Sequence, residues 1–312
     1  MPWDDRLGRR LRLKDLQTLM TVIDAGGIGK AADRLNYSQP AVSKAIASLE
    51  QTLGQRLLER GRKGIELTPY GDALLKCGVA VFDDLRKGVA DIDFLSDPAA
   101  GEVRIGCTEP VSAGIVSAVI NRLARRYPRI AFQVLLRDPG VLHRELVARN
   151  VDLLIGQMER HIDEPPMQSE ILYHEAVAVV AAARHPAASK RHVKLANLVD
   201  EPWALPPAQS FISARLAAAF RAIGLEMPRT TVAANSAYLR IMLVASGHFL
   251  SVVPAVMLKV GVSQLSIKAL PVTLPANRRP IRLVTLQGRA LSPVARLFIE
   301  HARTTARMMV RD

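Results

Sequence analysis

Ala31-Ala32-Asp33-Arg34-Leu35-Asn36-Tyr37-Ser38-Gln39-Pro40-Ala41-Val42-Ser43-Lys44-Ala45-Ile46 holds one short helix, a tight turn and the start of a second helix. Ala31, Ala32 and Leu35 give the first helix, expected from about Lys30, its apolar face. Asn36-Tyr37 makes the turn. Ser38 can accept a backbone N–H as N-cap, and Pro40 fits a first turn where no amide donor is needed. Val42, Ile46, Leu49 and Leu53 then share one stripe, and Gly54 ends the helix as a C′ glycine does. Upstream, Leu16, Leu19, Met20 and Ile23 mark an earlier helix that Ala25-Gly26-Gly27 breaks. A helix, a short turn and a helix with a polar, capped start form a helix-turn-helix pattern.

The face opposite the Val42 stripe carries Gln39, Pro40, Ser43, Lys44 and Ala47. Gln39 can pair with an adenine edge, Lys44 with guanine or phosphate, and Ser43 with either, while Pro40 and Ala41 suit thymine methyl groups. Free amides near Ser38 suit a phosphate. Two short strands are expected at Leu57–Arg60 and Ile65–Thr68. The Gly61-Arg62-Lys63-Gly64 tip between them places Arg62 and Lys63 where a wing would follow a neighbouring groove or backbone. The residues alone leave a small protein-binding helical bundle open as the competing reading.

Thr68-Pro69 opens a long helix to about Leu95 by the same cap-plus-proline logic. Leu75, Gly78, Phe82, Leu85, Val89 and Ile92 fall at spacings of three and four, a coiled-coil seam with one small gap at Gly78. At 1.5 Å per residue the helix is roughly 40 Å long. A narrow seam on so long a helix points to a second chain; the alternative is packing on its own domain.

Asp97-Pro98-Ala99-Ala100-Gly101 reads as a linker. Beyond it strands and helices alternate: a strand at Val103–Cys107, a helix at 113–126, a strand at Ile130–Leu136, a helix at 139–149, then strands at Val151–Ile155 and Val177–Ala182. The theme repeats with helices at 211–223 and 237–246 and strands near 230–234 and 250–253, and closes with a strand at 281–287 and a helix at 292–308. This alternation predicts parallel sheets with helices on their faces, in two lobes with a cleft between them. Ligands in such domains lie at strand C-termini, where helix N-termini point into the cleft. Candidate cleft residues are therefore Thr108, Glu109, Pro110 and Ser112 after the first strand; Gln209, Ser210 and Phe211; Asn235 and Ser236; and, more weakly, Pro139 after Asp138. Thr108, Ser210 and Asn235 could equally be plain helix caps.

The net charge of +13 suggests an anionic partner. Its placement does not favour the N-terminal part, because residues 1–98 hold 15 basic and 14 acidic groups and the excess lies beyond. A basic cleft region and helix N-termini favour a small carboxylate ligand. Glu109 argues instead for a hydroxyl, sugar or amine. With 49% apolar and 23% charged residues, the composition excludes disorder, collagen-like and disulfide-scaffold classes. Cys77 and Cys107 read as reduced packing residues. No apolar run approaches a membrane span and Met1–Arg6 lacks a signal-peptide core, so a cytoplasmic protein without membrane contact is expected.

No catalytic or metal constellation appears. None of the seven histidines forms a His-Glu-x-x-His pair, and there is no Cys-x-x-Cys and no Gly-x-Ser-x-Gly elbow. Gly26-Gly27-Ile28-Gly29-Lys30-Ala31 only faintly echoes a phosphate loop. The sequence therefore gives no enzyme and no cofactor.

The stretch from Ala31 to Ile46, with Leu49-Glu50, Leu53-Gly54, Leu57-Leu58-Glu59-Arg60 and Leu67-Thr68-Pro69-Tyr70-Gly71, resembles the signature of LysR-type transcriptional regulators. The rest of the chain is similar to that family's layout. The resemblance implies an N-terminal winged helix-turn-helix, a linker helix, and a two-lobed effector domain of periplasmic-binding-protein type. It also implies a small-molecule effector between the lobes, a double-stranded DNA operator, contact with RNA polymerase, and homo-oligomers, commonly tetramers built as dimers of dimers. On that layout, 1–14 is an N-terminal extension, 15–69 the DNA-binding domain, 69–96 the dimerisation helix, 97–101 a hinge, and 102–312 the effector domain. Lobe I covers about 102–170 and 268–312, and lobe II about 171–267. Two departures stand out. Gly27-Ile28-Gly29 replaces the family's usual Ser-Phe-Thr, and Arg6, Arg9, Arg10, Arg12 and Lys14 precede the first helix. A cytoplasmic two-lobed solute-binding protein without a regulatory role is the alternative, opposed by the helix-turn-helix.

Overall fold

The computed structural model describes residues 11–61, 64–158, 166–259, 265–274 and 278–311. Arg62, Lys63 and the first ten residues of the N-terminal extension lie outside the described residues. The chain divides into two compact units, Met1–Val89 and Ala90–Asp312.

In the first unit, helices α1 (Leu13–Ala25), α2 (Ile28–Leu35) and α3 (Gln39–Leu53) bury Leu19, Val22, Ala31, Ala32, Val42, Ile46 and Leu49 against Leu57. Gly26 ends α1 at φ 71, a left-handed cap. Gly27 is the N-cap of α2 and supplies no side-chain bond. Where the resembled family usually has serine, this helix therefore starts without a side-chain cap. Asn36 turns the chain at φ 53, and Ser38 accepts from the Ala41 amide to open α3.

β1 (Leu58–Gly61) and β2 (Gly64–Leu67) pair antiparallel, Leu58 opposite Leu67. Glu50 fixes this hairpin on the helices, because its Oε1 accepts from the Leu57 amide at 2.8 Å and the Leu58 amide at 3.3 Å. Thr68 Oγ1 donates to the Arg56 carbonyl at 2.7 Å and accepts from the Gly71 amide at 3.1 Å. It thereby joins the wing to the start of α4 (Pro69–Ser96).

In the second unit the expected parallel sheets are replaced by mixed ones. β3 (Ala100–Cys107) runs parallel to β4 (Arg129–Leu136) and to β5 (Leu153–Gly156). β11 (Arg278–Leu286) returns antiparallel between β5 and β6 (Met167–Ala182). β6 is much longer than the expected Val177–Ala182 strand. Its first part pairs with β11 up to Ala176, and from Val177 onward it pairs with β9 (Ser251–Pro254) and β10 (Ile267–Ala269). β7 (Trp203–Leu205) and β8 (Thr230–Ala233) form a short parallel pair.

Two main cores flank β6. One joins Val103, Ile105, Leu153 and Ile281 to Val119 and Leu123 of α5 (Ser117–Arg126) and Phe298 of α9 (Pro293–Arg311). The other joins Val179, Trp203, Phe220 and Val252, with Trp203 edge-on to Phe220 of α7 (Phe211–Ala222) at 6.3 Å. The expected helix over 113–126 is interrupted. A short turn at Glu109–Val111 leads into a π-helical turn at Ser112–Val116, and α5 begins only at Ser117; α6 (Pro139–Val147) follows β4. A Cβ on Gly114 would come within 2.9 Å of Val256, so the two sides approach closely here. Asp97 pins the linker: its carboxylate accepts from the Ala99 amide at 3.1 Å and from Arg129 at 2.7 Å, and these two partners hold its pKa below the usual value. Cys107 is buried, which raises its thiol pKa to about 12, whereas Cys77 is exposed rather than packed.

Candidate functional site

On α3, the residues expected to meet DNA form one open face. Ser38, Gln39, Pro40, Ala41, Ser43 and Lys44 are all exposed, while Val42, Ile46 and Leu49 anchor the helix from below. The positive end of the α3 dipole points out at Ser38; Pro40 has no amide and the Ala41 amide is bonded to Ser38, which leaves the Ser38 and Gln39 amides to face outward. Lys14 lies over the Tyr37 ring at 4.6 Å, fixing the turn before α3.

α4 carries the residues expected to form a seam. Leu85, Val89 and Ile92 are 48%, 58% and 64% exposed in the single chain, and Leu75 and Phe82 are half-buried. Gly78 sits beside Met20 and Leu16 of α1, so the gap in the seam is where α1 packs.

In the second unit a cavity of about 870 Å³ opens between the two cores. Thr108, Pro110, Pro139, Gln209, Ser210 and Asn235 line it, as the strand-end argument expected. Three expected residues stand elsewhere. Ser112 donates to the Glu109 carbonyl at 2.6 Å, within its own turn. Glu109 and Ser236 bond each other across the cleft at 3.2 Å. Phe211 begins α7, but its side chain lies outside the description.

The capping readings also separate. Ser210 accepts from the Ser213 amide, and Ser236 accepts from the Leu239 amide to cap α8 (Ala237–Ala245). Thr108 makes no side-chain cap bond, and Asn235 is not the cap residue.

Sequence reasoning missed the buried charges of the cavity. Glu175 of β6 is 4% exposed; its Oε1 accepts from the Val256 amide at 3.3 Å and its Oε2 has no partner. Burial pushes its pKa up to about 7, with the Val256 amide acting the other way. Arg240 of α8 is 2% exposed and donates to the Ala234 and Asn235 carbonyls at 2.6 and 3.0 Å, yet its Nε has no partner. Arg279 of β11 stands opposite Glu175 in the strand register and lines the same cavity; burial lowers its pKa to about 10. The legible signal was Arg240 itself, a lone charge just before Ile241-Met242-Leu243-Val244. Such a cavity can take a small polar molecule, in a wall that holds a carboxylate and a guanidinium each with one buried atom left without a partner.

Two family models match the chain. Residues 13–72 match the family described as bacterial regulatory helix-turn-helix protein, lysR family, and residues 96–307 match the LysR substrate binding domain. The transcriptional regulator GbpR of Azospirillum brasilense is 28% identical over 306 residues, 98% of this chain and 90% of that protein. Among solved structures, a full-length OxyR variant from Pseudomonas aeruginosa superposes with a TM-score of 0.67 at 22% identity, covering 96% of this chain and 95% of that one. Full-length CbnR in complex with its target DNA gives 0.55 at 21% identity, covering 95% and 100%.

Proposed function

This chain belongs to the LysR family of bacterial helix-turn-helix transcriptional regulators, and from that premise we propose how it reads DNA and what its cleft binds. It is a DNA-binding regulator with an effector-binding domain, not an enzyme. α3 enters the major groove. Gln39, Ser43 and Lys44 read base edges, Pro40 and Ala41 touch thymine methyl groups, and the free amides at Ser38 hold a phosphate. Arg62 and Lys63 track the backbone beside it. The open polar face of α3, set on a buried apolar stripe, supports this reading. The related CbnR fold is itself known in complex with its target DNA. α4 makes a dimer through Leu75, Phe82, Leu85, Val89 and Ile92, and two dimers form a tetramer. The protein acts on chromosomal DNA in the cytoplasm and adjusts what RNA polymerase does there. Among the described residues, no helix is long and apolar enough to cross a membrane.

Gln39→Ala should weaken specific binding by about 1–3 kcal/mol and leave non-specific binding almost unchanged. Competition gel-shifts with operator and random DNA measure both. Equal losses on the two DNAs would remove Gln39 from base reading.

The effector occupies the cavity between lobe I, about 102–170 with 268–312, and lobe II, about 171–267. It is a small hydroxylated metabolite of carboxylate or sugar type. The unpartnered Glu175 Oε2 in a desolvated wall carries this reading: an acceptor left there without water costs about 1–3 kcal/mol, which a ligand hydroxyl or amine relieves. Arg240 Nε asks for an acceptor in return. A thermal-shift panel of carboxylates and sugars identifies a binder. Thr108→Val, Ser210→Ala and Asn235→Ala should then each blunt that ligand's shift, while ligand-free operator affinity stays within about twofold. Wild-type responses in all three variants would place the ligand outside this cavity.

A further inference from the structure

We infer that the N-terminus of α8 is a carboxylate-binding seat and that the chain fills it with its own Glu109. Glu109 follows β3 on one side of the cleft, and α8 lies on the other. Glu109 Oε2 accepts from the Ala237 amide at 2.8 Å, and Oε1 accepts from the Tyr238 amide and from Ser236 Oγ, each at 3.2 Å. Three donors thus converge on one carboxylate at the positive end of a nine-residue helix. A small-molecule carboxylate would be held in the same way.

Arg240 supplies the second, independent observation. It lies one turn into α8, is 2% exposed, lines the cavity, and keeps a buried Nε without a partner. Burial lowers its pKa, and the charge of Glu109 works against that shift. A desolvated guanidinium behind a row of helix amides leaves this corner strongly in want of an anion. Glu109 answers that demand from 127 to 129 residues away in the sequence.

The seat ties the two sides of the cleft together before any effector arrives. A diffusible carboxylate reaches the α8 amides only by expelling Glu109, which unties the lobes. A neutral ligand fills the cavity beside it with the tie intact. The two ligand classes therefore differ in whether they break this tie.

The seat can be tested without an effector, so the outcome is independent of what the cavity binds. Hydrogen–deuterium exchange of the 236–245 segment is followed in the full-length protein, with sodium acetate as probe and sodium chloride at equal ionic strength as control. In Glu109→Ala the Ala237 and Tyr238 amides should exchange about tenfold faster or more, since hydrogen bonds to a charged acceptor are lost. Acetate should slow them again, saturably, in the variant and not in wild type; chloride should not. Glu109→Gln keeps the shape and one acceptor without the charge, so its exchange should fall between the two. Unchanged exchange in Glu109→Ala, full protection in Glu109→Gln, or an acceleration that acetate cannot reverse would each overturn the assignment.

Discussion

Leu85→Glu should leave the protein monomeric at micromolar concentrations and cut operator affinity with it. Leu85 lies mid-seam on α4, 48% exposed in the single chain, with Val89 and Ile92 following at spacings of four and three. Two-fold pairing of the helix would bring the two Leu85 side chains close to each other. Glutamate there places two like charges in the apolar seam, and neither has a partner. Breaking the charge balance of a buried site costs about 3–5 kcal/mol, so dimer affinity should fall by roughly two to four orders of magnitude. Operator binding follows because two half-sites must be held at fixed spacing. Sedimentation velocity gives the oligomeric state, and gel-shifts on one and two half-sites give the affinity. An intact dimer for Leu85→Glu would assign dimerisation to another surface.

Gly71→Ala should cost the N-terminal unit about 3 kcal/mol, although it adds only one methyl group. A Cβ at Gly71 would lie 2.1 Å from the Leu57 carbonyl oxygen and 2.9 Å from a Leu67 methyl. The Leu57 oxygen cannot simply retreat, because it accepts from the Thr68 amide at 3.0 Å where the wing meets α4. Relief requires shifting backbone on one side or the other, at the upper end of overpacking costs. For a unit of this size the midpoint should drop by about 10 °C or more. Differential scanning calorimetry follows the N-terminal transition, and operator binding should weaken with it. An unchanged midpoint would mean that α4 can slide away from the wing without loss. Only glycine allows this approach, which gives Thr68-Pro69-Tyr70-Gly71 a steric reason rather than a chemical one.

The helices were legible because their signals are local. Ser38, Pro40 and Gly54 set the ends of α3 within a turn of where they act, and the Val42–Ile46–Leu49 stripe shows its buried face directly. β6 was half hidden. Its second part reads as Val177-Ala178-Val179-Val180, but its first part carries Glu170, His174 and Glu175, which look like a polar loop. These residues become a strand only because β11, more than a hundred residues later, pairs alongside. The same long-range return makes the sheet mixed where strand–helix alternation implied a parallel one. In the cleft, the strand-end rule found Thr108, Pro139, Ser210 and Asn235. It could not find Glu175 or Arg240, since a charge on a strand or helix reads as solvent-facing until the partner element is known. Glu109 was legible as a group facing the cleft; that it would be held by the opposite helix was not.

The two lobes share β6 as one continuous strand, with Ala176 paired on one side and Val177 on the other. A shared strand works as a torsion bar. A large bend at this junction would strain ladder hydrogen bonds in both lobes. The motion left to them is a twist about the strand, and the irregular register near Ile281 and Arg282 offers a place to absorb it. At roughly 3.3 Å per residue, sixteen residues make a bar about 50 Å long, and a twist about it displaces atoms in proportion to their distance from the strand, so the outer parts of the lobes move furthest. The cleft should therefore signal as a stiff lever, with a small angular throw and little slack.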